Sequence, residues 1–115
     1  MITRNPAKKL TVYVDESDRR GGRPVYEVLL ELFYRNKIAG VSVFRGVAGY
    51  GSDGVFHTSK ILELSASLPI KIEVVDSDES IRSVLPEVSD VVSKGLIEVS
   101  DTTVVKCCSK TFESS

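Results

Sequence analysis

Apolar residues alternate early in the chain. Leu10, Val12 and Val14 point one way and Thr11, Tyr13 and Asp15 the other, and this period of two predicts a strand. The polar segment behind it, with Gly21-Gly22, predicts a loop. Pro24 suits the first turn of a helix, where its missing N–H costs nothing. Val25, Val28, Leu29, Leu32 and Phe33 then recur at three- and four-residue steps, one buried helical stripe. Lys37 near the negative pole and Gly40 beyond it predict the helix stop. Val41 to Phe44 predict a second strand, which runs into the glycine-rich segment RGVAGYGSDGVFHTSK over residues 45–60. A return strand or extended arm is expected over residues 55–64. After Pro69, Ile70, Ile72 and Val74 face one way and Lys71 and Glu73 the other, a third clean strand. Asp76 with Glu79 three residues on predicts a capping box. The second helix carries Ile81, Val84, Leu85, Val88, Val91 and Val92 as its stripe, with a kink or break at Pro86 and an end at Lys94-Gly95. Residues 96–106 predict the last strand, bulged around Ser100-Asp101.

The order β-α-β-(loop)-β-α-β is that of two split units of the ferredoxin-like type. The expected fold is an α+β sandwich. Right-handed crossovers place both helices on one face of a four-stranded antiparallel sheet, with a long loop between strands two and three. Thr11, Tyr13, Ser42, Phe44, Lys71 and Glu73 are left on the open face, a mixed surface suited to meeting another subunit. A single domain is expected over residues 8–107, with flexible tails at 1–7 and 108–115.

Composition narrows the partners. With 42% apolar and 27% charged residues in 115, the chain has the makings of a globular core rather than a disordered segment. Its 15 basic and 16 acidic residues give −1, so no bulk field directs it to nucleic acid. The halves differ: residues 1–60 hold ten basic against six acidic, and residues 61–115 five against ten. That asymmetry favours self-association. No apolar run reaches the ~18–20 residues of a membrane span, so direct membrane insertion is not expected. The opening MITRNPAKK lacks the apolar core of a signal peptide. Cys107 and Cys108 are adjacent, and neighbours on a strand point to opposite faces. They are expected to be reduced thiols in a cytoplasmic protein.

The 45–60 segment holds four of the eight glycines (Gly46, Gly49, Gly51, Gly54) and the only histidine. Glycines this dense let N–H groups approach an anion without a Cβ in the way. Arg45 at one root and Lys60 at the other would suit a polyphosphate. The same glycines also read as turns and bulges of a hairpin, and they do not form the GxxxxGK[ST] phosphate loop. His57 reads as a loop anchor or as a pH-sensitive or ligand-contacting group. A catalytic base would need an oriented nucleophile that the sequence does not supply. Tyr50 sits between two glycines, where it could stack on a base, plug a neighbouring subunit or foot the loop. Tyr26 and Tyr34 on the first helix read as core or interface aromatics. The cluster Asp15-Glu16-Ser17-Asp18 reads as a solvated turn before it reads as a cation site.

Several pieces, in order and spacing, resemble a known group. They are Gly22-Arg23-Pro24-Val25-Tyr26-Glu27, Ala39-Gly40, Arg45-Gly46, Gly49-Tyr50-Gly51, His57-Thr58-Ser59-Lys60, Leu68-Pro69 and Ile72-Glu73-Val74-Val75-Asp76. Over residues 10–106 the chain resembles the nitrogen-regulatory PII superfamily, and most closely the PII-like proteins of domain of unknown function 190. The resemblance implies a homotrimer whose sheets face inward. It implies an adenine nucleotide effector (ATP, ADP, AMP or cyclic AMP, with or without magnesium) in clefts between subunits at the root of the long loop. It implies a signal passed through that loop to a target protein, such as a membrane transporter or an enzyme. The candidate ligand-binding residues are then Arg45, Gly46, Gly49, Tyr50 and Gly51 on one arm. His57, Thr58 and Lys60 follow on the other arm, and Lys94 and Gly95 come after the second helix. The chain departs from PII proteins there, with Lys94-Gly95-Leu96 in place of a longer glycine-rich segment. Nor does it match the loop tyrosine that some PII proteins have modified, so uridylylation is not implied.

Three function classes therefore stand beside one another. The first is a non-enzymatic regulator that binds an adenine nucleotide. The second is an enzyme on a phosphorylated small molecule with His57 as general base, and the third a purely structural trimer. The regulator is favoured, because no catalytic constellation is assembled in the sequence.

Overall fold

The computed structural model describes residues 5–51, 54, 57–58 and 67–107. Its frame is a four-stranded sheet made of β1 (Asn5–Asp15), β4 (Val41–Arg45), β7 (Pro69–Asp76) and β8 (Leu96–Val104). Their order across the sheet is β4-β7-β1-β8, and every neighbouring pair is antiparallel. The helices α1 (Val25–Arg35) and α2 (Asp78–Val91) make the two crossovers, as the ferredoxin-like pattern requires. The period-two residues Leu10, Val12, Val14, Ile70, Ile72 and Val74 meet the stripes Val25, Leu29, Leu32, Phe33 and Ile81, Val84, Val88, Val91 in one core. Burying side chains of this size stabilises by roughly 1.5–3 kcal/mol each before the entropy cost.

β1 begins at Asn5, earlier than expected, so residues 5–7 belong to the sheet and not to a tail. Asn5, Pro6 and Ala7 pair with Val104, Thr103 and Thr102. Only β8 flanks β1 over these residues, so Pro6 can lack an N–H without losing a bond to a second neighbour. β8 itself is unbroken. Ser100 faces Lys9 and Asp101 faces Lys8 in register, with no bulge, and the Lys8 ammonium donates to the Asp101 carboxylate across the pair. That cross-strand ion pair favours the regular register.

The segment expected to be a loop after β1 is a miniature hairpin, β2 (Arg19–Arg20) with β3 (Arg23–Pro24). Gly21 and Gly22 form its two-residue turn at φ of 59° and 80°, a conformation open to glycine. α1 stops earlier than Gly40. Lys37 takes φ 59°, its N–H donates to the Tyr34 carbonyl at 3.1 Å, and the Ile38 N–H donates to the Phe33 carbonyl at 3.1 Å. This is a Schellman stop carried by a lysine instead of a glycine.

α2 is capped by Ser77, whose Oγ accepts the Ser80 N–H at 3.1 Å, one residue later than expected. Asp76 has another task. It is 1% exposed, and its carboxylate accepts the Ala39 N–H at 2.9 Å and the Ser77 N–H at 2.7 Å. It thereby ties the turn after α1 to the start of α2. Pro86 does not break α2, which runs through it as one helix. Pro86 and Arg82 are both exposed, so the Arg82 carbonyl left without an in-helix donor faces water. On the open face Thr11 is buried between its cross-strand partners Glu73 and Glu98. Tyr13 and Phe44 stay exposed there.

Of the return strand expected over residues 55–64, only His57–Thr58 falls among the described residues, as β6 paired with β5 (Ala48–Gly49). Cys107 is disulfide-bonded, where a reduced thiol was expected. It lies beyond the end of β8, so the strand geometry that separates neighbouring side chains does not govern it. Cys108 lies outside the described residues. No helix among the described residues is long and apolar enough to cross a membrane.

Candidate functional site

β1 and β4 run parallel to one another on either side of β7, so both end beside the place where β7 begins. Asp15 faces Pro69, and Arg45 faces Ile70. The residues that follow fasten this junction. The Glu16 N–H donates to the Leu68 carbonyl at 2.9 Å, and the Gly46 N–H donates to the Pro69 carbonyl at 2.7 Å. Above them Arg45 reaches back over the entry to β7. Its Nε donates to Glu16 Oε2 at 2.9 Å and its Nη2 donates to Glu16 Oε1 at 3.0 Å, a bidentate pair. Glu16 Oε1 also receives the Leu68 N–H at a long 3.4 Å. The Arg45 hydrogen bonds hold the Glu16 carboxyl below the usual carboxylate range, and Glu16 in turn raises the Arg45 guanidinium.

The glycines at this root have a packing reason. A Cβ on Gly46 would stand 2.7 Å from Pro69 Cγ, and one on Gly49 would stand 3.2 Å from the same atom. The loop therefore starts by lying against the Pro69 ring. The Gly46 N–H already has its acceptor in Pro69, and the Gly54 N–H donates to the Gly51 carbonyl at 2.9 Å in a turn where Gly54 takes φ 72°. The turn-and-packing reading thus accounts for these two amides. Gly51 has open space where a side chain would project. Tyr50 is 64% exposed beside the loop root. His57 and Thr58 oppose Gly49 and Ala48 across the β5–β6 pair. Lys60 lies outside the described residues.

Lys94 and Gly95 are at the same end of the sheet, on the far side of β1. Lys94 Nζ lies 3.6 Å from Asp18 Oδ1, and Asp18 Oδ2 accepts the Asp15 N–H at 3.0 Å. Gly95 takes φ 141°, and a Cβ there would run into the Tyr13 carbonyl. It is the close approach of the α2–β8 turn to β1 that requires glycine. β4 and β8 are the two outer strands, three strand spacings or about 14 Å apart. Arg45 and Lys94 thus stem from the two sides of one sheet end, and each reaches an acid of the turn after β1, Glu16 and Asp18. Among the described residues no group of three metal-ligating side chains assembles.

Glu16, Asp18 and Pro69 contact the candidate residues Arg45, Lys94, Gly46 and Gly49, a role that sequence reasoning does not give them. Glu16 and Asp18 lie inside an acidic turn that reads as solvated. The available signal is topological: in a ferredoxin-like order the ends of strands one and two flank the start of strand three, which sets an acid beside Arg45.

Comparison with known proteins agrees with this architecture. Residues 7–104 match the model of domain of unknown function 190, a family described as an uncharacterized ACR. A UPF0166 protein of Methanocaldococcus jannaschii is 39% identical over 101 residues, covering 87% of this chain and 93% of the relative. A UPF0166 protein of Aquifex aeolicus is 34% identical over 98 residues, covering 85% and 92%. Among solved structures, CPII of Thiomonas intermedia, a nitrogen regulatory PII-like protein bound to ADP, AMP and bicarbonate, superposes with a TM-score of 0.71. It shares 19% identity, with 92% of this chain and 94% of that one covered. A proposed PII-like signalling protein of Thermus thermophilus gives a TM-score of 0.64 at 19% identity, covering 89% and 92%. At such identities the likeness speaks for the fold. The chain belongs to the domain of unknown function 190 family and has the fold of PII-like proteins.

Proposed function

We propose that this protein is a non-enzymatic, PII-like regulator. It binds an adenine nucleotide in clefts between the subunits of a homotrimer and acts on a target protein through the 45–60 loop. The observation that carries this reading is the position of Arg45. It is a guanidinium with fork geometry at the root of the long loop, at the sheet end that also bears Lys94. The likeness to CPII, whose structure holds ADP and AMP, points to the class of ligand.

Calorimetric titration of ATP, ADP, AMP and cyclic AMP, each with and without magnesium, tests the reading, with product analysis on the same samples. Saturable binding near one nucleotide per chain without turnover is the expected result. Arg45→Ala is expected to weaken that binding by about 1–3 kcal/mol, the range of a charge-assisted bond to phosphate. Unchanged affinity in a folded variant would remove Arg45 from the site. Turnover would move His57 to the centre as a general base, and no binding at all would leave a structural trimer.

A further inference from the structure

The guanidinium at the loop root already holds an anion, and that anion belongs to the chain. Glu16 offers Arg45 two coplanar oxygens, at 2.9 and 3.0 Å from Nε and Nη2, the arrangement that a phosphate or a free carboxylate would present. Glu16 is well placed to compete. Its own N–H is fixed on the Leu68 carbonyl at 2.9 Å, which holds its backbone at the end of β1. Its side chain is 28% exposed, while that of Arg45 is 56% exposed, so solvent and ligand reach the pair chiefly from the arginine's side.

We propose that Glu16 is an internal counter-anion for Arg45, one that an anionic effector must displace before it binds at the loop root. The inference rests on the nucleotide reading above and names a control on that same site. Its consequence is a modest penalty that every anion at this root meets, offset best by a dianionic, bidentate group and least by a singly charged or monodentate one. Displacement also frees Arg45 from the junction of β1 and β7. Occupancy thereby changes what the first residue of the loop is attached to.

Titration of ADP, and separately of inorganic pyrophosphate, into the full chain tests this. The variants are Glu16→Gln, Glu16→Asp, Arg45→Ala and the Glu16→Gln/Arg45→Ala pair. Gln keeps an acceptor for the Leu68 N–H, so the junction is preserved. Removing a partly exposed bidentate competitor is expected to tighten both probes about fivefold in Glu16→Gln. Glu16→Asp, too short to span both guanidinium nitrogens, should gain less. The gain must vanish when Arg45 is alanine. Wild-type binding with no gain in Glu16→Gln overturns the counter-anion and leaves the nucleotide reading standing. A gain that persists without Arg45 is general charge repulsion and also overturns it. Binding by Glu16→Gln alone supports it. If neither the wild type nor Glu16→Gln binds either probe, the nucleotide reading falls and the counter-anion with it.

Discussion

Gly95 is the glycine at which this fold has least latitude. It combines φ 141° with the Tyr13 carbonyl standing where a Cβ would go, and the obstacle is backbone, which cannot swing aside. Gly95→Ala is therefore expected to cost about 2–4 kcal/mol, the range for a steric clash combined with a conformation unsuited to L residues. Urea denaturation checks it, and a loss under about 1 kcal/mol would mean that the turn simply rebuilds. Glu16 gives a second test at this scale. Its carboxyl is lowered in the folded chain, chiefly by the Arg45 hydrogen bonds, from its ordinary value of 4.5. A depressed carboxylate contributes stability that is whole above that value and fades as the pH falls through the lower folded one. On acidification the wild type should lose more stability below about pH 4.5 than Glu16→Gln does. Parallel losses in the two would show that the pair does not hold in solution.

The elements show how far the sequence can be read. Both helices and the strands β1 and β7 follow from apolar periodicity, because each presents one buried face to a single core, whereas β8 adds to it little more than the half-buried Ile97. What escapes lies where periodicity is silent. The β2–β3 hairpin is too short to alternate, and its only trace is the Gly21-Gly22 pair. The stop of α1 escapes because a lysine does what glycine usually does. Lys37→Gly should raise stability by about 1 kcal/mol, since a side chain in the left-handed region costs that much. A matching rise in thermal midpoint, with unchanged helix content by circular dichroism, is the check. No rise would mean that the lysine side chain offsets its backbone cost through its own contacts. Likewise the candidate site is half legible. Arg45 and the glycines stand out by type, but the Glu16 contact spans 29 positions and emerges only once the strands are ordered.

At the scale of the whole molecule, one row crosses the open sheet face from β4 to β8: Phe44, Lys71, Tyr13 and Leu96. Phe44, Tyr13 and Leu96 are all exposed in the single chain, and the Lys71 ammonium lies over the Phe44 ring, 5.3 Å from its centroid. An exposed row of large apolar groups on a sheet face is a surface to be covered, and three inward-facing sheets would cover it. Light scattering is expected to give three times the chain mass for the wild type and a monomer for Tyr13→Arg. An unchanged trimer would place the interface elsewhere. The two partners at the loop root differ in footing across this sheet. Glu16 directly follows β1, a strand with neighbours on both sides, while Arg45 ends β4, a strand with one. Any parting of the two therefore resembles a relay with one contact soldered to the chassis and the other mounted on a leaf spring. Were the backbone to give at this root, the edge strand has fewer bonds to hold it than the middle of the sheet does.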